Sequence, residues 1–306
     1  MRRKLAILGI VLIFVAGIGV MSYPLVSSVI NNLASRSNVA EYKNITQQMS
    51  SKETLDMIEK AQRYNNSLTN NVIITDPFDS EAYEKIGDSY ENALNVDGNG
   101  LIGYIDVPKI NVYLPIYHGT SESILSRGAG HLMNTSLPIG GESTHSVISA
   151  HTAFPGETFF DYLTDMKEGD EFFVHILDRV LKYEVDSIKV VLPEETDDLR
   201  IINGEDYVTL LTCTPYSINT HRLLVRGKRV AYDPNAQLES PISVASFGDD
   251  GIFFLGFKIP YWTAAVVIAA FVAITVAIVL ICLRRSRRKN RSEKGRASLK
   301  TERGGD

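Results

Sequence analysis

The chain predicts a mainly β domain, a closed or nearly closed barrel preceded by helices and set between two membrane-spanning segments. Three observations carry this expectation. From Gly100 to Tyr232 short β-branched and aromatic runs alternate with Gly and Pro. Before Gly100 the composition is polar and helical in pattern, and near each end lies an uncharged apolar run with basic residues on one side. Several short strands separated by turn chemistry are the pattern of a β-barrel.

Residues 1–4 supply Arg2, Arg3 and Lys4, and residues 5–22 open with LAILGIVLIFVAGIGV, which carries no charge. This run is short enough to be either a membrane anchor or the apolar core of a signal peptide. The following MSYPLVSS offers no small-x-small cleavage site, which favours the anchor. Residues 31–99 form the helical region. SKETLDMIEKAQRY (51–64) places Leu55, Met57 and Ile58 on an uneven apolar face, and Ser80 to Leu94 reads as a further helix ended by VDGNG. Between them Asp76, Pro77 and Phe78 make a turn that leaves a large aromatic on a loop. Residues 100–232 hold the strands: LIGYIDVPKINVYLPIYHG, HSVISAH, DEFFVHILDRVLKYEVDSIKVVLP and YVTLLTCTPYSINTHRLLVRGKRV. In the last of these, Tyr207 to Thr212 and Leu223 to Val230 read as neighbouring strands, with Pro215, Ser217 and Asn219 turning the chain between them. Residues 233–257 read as a polar linker. Residues 260–283 read as a second span, with Tyr261 and Trp262 at its entry and RRSRRK at its exit. An apolar run of about 20 residues with those flanks is a transmembrane signal. Basic flanks on both runs place the two termini, including the 284–306 tail, in the cytoplasm, and Ser22 to Phe257 outside.

The formal net charge is -5; the 284–306 tail carries +7 and the N-terminal flank +3, which leaves the intervening part at -15. An acidic external region and a basic tail at a membrane surface argue against nucleic acid as a partner. No closely spaced set of His, Cys or carboxylate residues points to a metal, and nothing in the chain calls for a cofactor.

Cysteine usage narrows the chemistry. Cys282 lies in the second apolar run, so Cys213 has no partner in the external region. A lone extracellular thiol points to intermolecular pairing or to a reactive group. Cys213 ends a strand-like run and Arg222 follows nine residues later on the next. A guanidinium facing a thiol favours the thiolate, the nucleophilic form. A cysteine nucleophile needs an imidazole partner. Of six histidines, His118 and His131 sit in Gly-rich loops, His145 opens a strand, His175 alternates within one, and His221 points away from the face of Arg222. His151 ends the strand SVISA and is the best chemical candidate, although periodicity alone does not separate it from the others.

These residues resemble a known family. TLLTC at 209–213 followed by THR at 220–222 is similar to the cysteine and arginine motif of the sortases, cysteine transpeptidases of Gram-positive bacteria. GHLMNTSLPIGGESTHSVISAH (130–151) resembles the segment leading to their histidine, and GYIDVPKINVYLPI (103–116) and EGDEF (168–172) resemble their strand regions. Asp76-Pro77-Phe78 resembles the Asp-Pro-aromatic lid of the pilus-assembling class C members, which also carry a second membrane span. The likeness covers about 70–235. Thr152-Ala153 and Ser217 depart from the commoner Arg-Gly and Gly of that class, which bears on subsite preference.

The resemblance implies an eight-stranded barrel and a transpeptidation. Cys213 would be the nucleophile, His151 the general acid and base, and Arg222 the group that positions substrate and stabilises charge. The substrate would be an LPXTG-like sorting signal on a pilin or surface protein, cleaved between Thr and Gly through a thioacyl intermediate. A pilin lysine amine would accept the acyl group. Asp76 would pair with Arg222 while Phe78 covers Cys213. The alternatives are a housekeeping-type enzyme that anchors proteins to a peptidoglycan precursor, a papain-like protease, whose cysteine should open a helix, and a non-enzymatic adhesin or sensor domain.

Overall fold

The structure, a computed structural model, describes residues 35–68, 76–78, 88–154 and 157–233, two short strands within 251–260, and a few isolated positions in the apolar segments. The expected spans at 5–22 and 260–283 and the 284–306 tail otherwise lie outside the described residues. Among those described, no helix is long and apolar enough to cross a membrane. Ser27–Ile242 form one compact unit, and Met1–Val26 with Ser243–Asp306 form another.

Helix α1 covers 35–48. It buries Val39 and Tyr42, and the Tyr42 hydroxyl donates to the Ile102 carbonyl at 2.9 Å while accepting from the Leu177 N–H at 2.7 Å. Helix α2 (Ser51–Ser67) begins with a reciprocal cap between Ser50 and Glu53, which satisfies two otherwise unpaired N–H groups. Its buried stripe is Ile58, Ala61, Tyr64 and Asn65. Leu55, expected on that face, is 58% exposed: the stripe starts at the second turn, and the first is held by its cap. Asn65 imitates a strand, donating to the Leu137 carbonyl at 3.0 Å and accepting from the Leu137 N–H at 2.7 Å. Of the helix expected over 80–94, only α3 (Asp88–Glu91) is described before Leu94, whose positive φ of 60° turns the chain out of helical geometry.

Eight strands follow: β1 (Leu101–Val107), β2 (Val112–His118), β3 (Ala129–His131), β4 (Thr144–Ser149), β5 (Glu171–Ile176), β6 (Arg179–Val191), β7 (Asp206–Thr214) and β8 (His221–Val230). They form a closed barrel in the order β1-β2-β3-β4-β7-β8-β6-β5, with β5 paired back to β1. The β2–β3 and β4–β7 pairs are parallel and the others antiparallel. Ile102, Ile105, Ile116, Val174, Phe172 and Val225 fill the interior, and α2 packs Ile58, Ala61 and Tyr64 against the same core. Gly227 leaves the space that the Phe172 ring edge enters, where a Cβ would collide with it.

Two of the sequence expectations change here. His118 and His131 do not sit in loops; they end β2 and β3 and face each other in the parallel ladder, both buried. Gly130 serves close approach, since a Cβ there would strike the Gly119 carbonyl, whereas Gly119 turns the chain after β2 at a φ of 76°. The segment read as linker and span entrance contains an antiparallel pair, β9 (Gly251–Phe254) and β10 (Phe257–Pro260). Its run of Ile and Phe residues is strand-forming, a local preference that the polar average of 233–257 conceals.

Candidate active site

The parallel β4–β7 pair brings the candidate histidine and cysteine to one end of the barrel. Ser149 stands beside Leu211 in the register. Beyond that point the Ala150 N–H donates to the Leu211 carbonyl at 3.2 Å, and the buried Thr212 hydroxyl donates to the Ala150 carbonyl at 2.7 Å. The residues that immediately precede His151 and Cys213 are therefore stitched together. On the other side, β7 and β8 pair Cys213 directly with Arg222 and Thr214 with His221. Directly opposed residues share a face and neighbours in sequence do not, so Arg222 lies on the thiol's face and His221 on the other. The loop between these strands carries Ser217 and Asn219 at φ 64° and 62°. Glycine adopts that left-handed conformation without a Cβ penalty, which gives a backbone reason for the Gly common at the Ser217 position in class C sequences.

Asp76, Pro77 and Phe78 lie over this end. Arg222 donates from Nε to Asp76 Oδ1 at 2.8 Å and from Nη2 to Oδ2 at 2.5 Å, a two-pronged ion pair whose side chains are only 10% and 16% exposed. The remaining guanidinium nitrogen donates to the Asn219 and His221 carbonyls. The Phe78 ring lies 5.1 Å from the Arg222 guanidinium and 5.5 Å from the His151 ring, and packs on a cluster of Leu132, Val147, Leu199, Leu211 and Leu224. Paired fork geometry of this kind is among the stronger charge-assisted contacts. Because it is largely buried, it is also costlier to break than the surface pair a loop residue suggests.

The thiol does not behave as the adjacent cation alone implies. Cys213 is a free thiol and 8% exposed. Burial pushes its pKa up to about 11; the Arg222 charge pulls it down and the Asp76 charge pushes it up again. The Arg222 charge favours the thiolate as expected, but in this closed arrangement burial acts more strongly in the other direction. Desolvation outweighs a guanidinium whose charge is already matched by a carboxylate. For Arg222 itself, burial acts against the charged form, and the hydrogen bonds and charge of Asp76 together with the thiol overcome it.

His151 stands between two rings, Phe78 on the lid side and Phe154 stacked at 5.2 Å and 14° on the other. Its Nε2 lies 3.2 Å from Glu122 Oε2, on the short helix α4 (Glu122–Leu125) between β2 and β3. The Phe160 N–H donates to its carbonyl at 3.0 Å. The structure therefore gathers Cys213, Arg222, His151, Asp76 and Phe78 at one place, with Pro77 buried in the turn between the last two. Sequence reading missed Glu122, Phe154 and the stitching role of Thr212. Only Thr212 had a signal, its place in TLLTC. The other histidines are absorbed elsewhere: His145 by the Arg200 carbonyl and the Thr209 hydroxyl, and His175 by stacking on Tyr104.

Comparison with known proteins gives a consistent picture. The model of the sortase domain matches residues 105–230. The crystal structure of sortase C-1 from Streptococcus pneumoniae is 46% identical, with a TM-score of 0.61 over 64% of this chain and 100% of that one. A pilus-related sortase C of Group B Streptococcus is also 46% identical, with a TM-score of 0.58 over 63% of this chain and 97% of its own. Among curated sequences, sortase D of Bacillus subtilis is 29% identical over 131 residues, 42% of this chain and 63% of that protein. The chain spans between 52% and 63% of the length of the first curated relatives it matches.

Proposed function

Because the chain belongs to the sortase family, and to its class C, we propose that it is a membrane-anchored transpeptidase that joins an LPXTG-like sorting signal to an amine, with a pilin lysine as acceptor. Its catalytic unit would lie outside the cell, carried by the two apolar segments. The observation that carries this reading is the convergence of Cys213, Arg222 and His151 where β4 and β7 end and β8 begins, under a lid that occupies the guanidinium.

The chemistry follows from these groups. With the lid displaced, the Cys213 proton passes to His151 and the thiolate attacks the carbonyl carbon of the signal's Thr. Arg222, released from Asp76, donates hydrogen bonds to the substrate backbone and to the oxyanion of the tetrahedral intermediate. The C–N bond to Gly then breaks, and the imidazolium returns its proton to the leaving amine. An acceptor amine attacks the thioester carbonyl, the C–S bond breaks, and the amine's surplus proton passes to His151. The covalent intermediate divides one difficult exchange into two easier ones. Asp76 and Phe78 hold the resting site shut: one neutralises the arginine and the other fills the space beside the histidine.

Intact-mass spectrometry of the full chain with an LPXTG-type peptide tests this. The expected product is an adduct of the peptide lacking its Gly-side portion, absent from Cys213→Ala, and discharged by an added amine more readily than by water. A folded protein that forms no such adduct with any of a panel of sorting motifs, even with Asp76 replaced, overturns the reading. Discharge by a peptidoglycan-precursor amine but not by a pilin lysine would instead place the enzyme with the housekeeping type.

A further inference from the structure

His151 has one hydrogen-bond partner for its ring among the described residues, and it is a carboxylate: Nε2 lies 3.2 Å from Glu122 Oε2. A carboxylate only accepts, so the neutral imidazole must carry its proton on Nε2, and the lone pair falls on Nδ1. Of the carboxylates on the surrounding elements, Glu122 alone among the described residues is placed within hydrogen-bond distance of this ring. Asp76 of the lid is taken by Arg222 of β8, and Asp161, in the segment after His151, accepts from the Ala153 N–H at 3.0 Å. Glu122 therefore stands as the charge that addresses this ring.

Its placement suits that work. Glu122 is in the first turn of α4, whose Leu125 is buried against β3, and the Ile124 and Leu125 N–H groups both donate to the Ser121 carbonyl. The backbone that presents the carboxylate is thus fixed to the barrel rather than to the lid. When Phe78 leaves, His151 loses one of its two walls and keeps Phe154 and Glu122. We propose that Glu122 is a positioning residue, which holds His151 as the Nε2–H tautomer so that Nδ1 is the atom that exchanges protons with the Cys213 thiol and the departing amine. The inference rests on the proposed acyl transfer for its kinetic consequence, but the tautomer it assigns is independent of turnover. Because the Glu122 side chain is 73% exposed, its contribution is chiefly orientation, and an uncharged acceptor should replace much of it.

Two measurements on the full chain, in the Asp76→Ala background where the lid is released, decide the matter. The first is NMR of isotope-labelled histidine, with the His151 signals identified by their loss in His151→Gln. The expected pattern is an Nε2–H imidazole in the parent and in Glu122→Gln, and an averaged tautomer in Glu122→Ala. The second is the rate of acyl-enzyme formation, which should fall about tenfold in Glu122→Ala through kcat, with KM little changed and most of the loss restored by Glu122→Gln. An Nδ1–H tautomer in the parent, or a tautomer unmoved by Glu122→Ala, overturns the inference whether or not the protein turns over. Equal losses in the Ala and Gln variants also overturn it, because an acceptor would then not suffice. If no variant forms an acyl-enzyme, the proposed function fails, and the NMR result still decides the tautomer.

Discussion

His145 and His151 lie six positions apart at the two ends of the same strand region, and their surroundings are opposite. His145 is wholly buried. Its Nδ1 donates to the Arg200 carbonyl at 2.9 Å and its Nε2 accepts from the Thr209 hydroxyl at 2.7 Å. Burial holds its pKa down at about 4, so it stays neutral with both ring nitrogens matched. His151 is bounded by aromatic faces, one of which belongs to a lid, and its carboxylate partner comes from the solvent side. One imidazole is a fixed part of the core, and the other lies between two aromatic rings at the edge of the barrel. The lesson is that the β4–β7 layer spends its inner histidine on structure and keeps its outer one available, on residues that local sequence alone presents as equivalent.

The largest effect should come from exchanging the two roles. His151→Ala is expected to lower acyl transfer by about 10²–10⁴-fold, with the denaturation midpoint close to wild type. His145→Ala should do the reverse. It strands the buried Thr209 hydroxyl at a cost of about 1–3 kcal/mol, while activity per folded molecule stays near normal. Denaturant titration alongside a single-turnover assay separates these outcomes. Loss of activity without loss of stability in His145→Ala would erase the contrast.

Part of this arrangement is legible in the sequence and part is not, for reasons the residues make clear. Strands β7 and β8 are read from the β-branched runs TLLT and LLVRG, and the positions of Cys213 at a strand end and Arg222 opposite it follow from local alternation. The barrel as a class follows from strand spacing. The parallel partnership of β4 with β7 is not local, so the Thr212–Ala150 bond that joins the two reactive ends is invisible in one dimension. Glu122 reaches His151 across 29 residues by way of a short helix with no pattern of its own. The net direction of the thiol's shift is not legible in the sequence, which supplies the nearby cation but not the depth of burial, nor the carboxylate that matches that cation from 146 residues away.

A middle-sized effect should come from loosening the removable side of the comparison. With the lid in place the thiol sits at about 11, raised first by burial. Asp76→Ala takes away a charge that disfavours the thiolate, frees Arg222 to favour it, and admits water. Each unit by which the pKa falls multiplies the thiolate near neutrality about tenfold. Alkylation of Cys213 at pH 7.5 should therefore rise by about tenfold or more, and its pH midpoint should move down. The same shift is linked to folding. An unfolded thiol titrates near 8.5–9, so between there and about 11 the native state keeps a proton that the unfolded state has lost. This contribution is complete below the unfolded pKa and disappears as pH rises through the folded one; the wild type should lose it over that window and the variant should not. An unchanged alkylation rate in Asp76→Ala would mean that the barrel, and not the lid, buries the thiol.

The smallest effect concerns a group that shares the thiol's burial but has none of its chemistry. Asp106 on β1 is buried, and one of its carboxylate oxygens has no hydrogen-bond partner among the described residues. Burial pushes its pKa up to about 6 against the pull of the Lys43 charge, and Lys43 itself lies over the rings of Tyr104 and Tyr113. A raised carboxyl pKa means that between about 4 and 6 the native state holds a proton the unfolded state gives up. The contribution is therefore complete below about 4 and lost as pH rises through 6. At pH 7 the protein carries a buried carboxylate that is incompletely matched, unlike Asp76, whose two oxygens both meet Arg222. Asp106→Asn should raise stability at pH 7 by about 1 kcal/mol and leave it nearly unchanged at pH 4, as denaturant midpoints at the two pH values would show. A variant less stable than wild type at pH 7 would mean that Lys43 and the carboxylate form a working pair that docks α1 on the barrel. A burial-raised pKa would then mark a structural contact on this face, whereas at Cys213 it attends the proposed nucleophile.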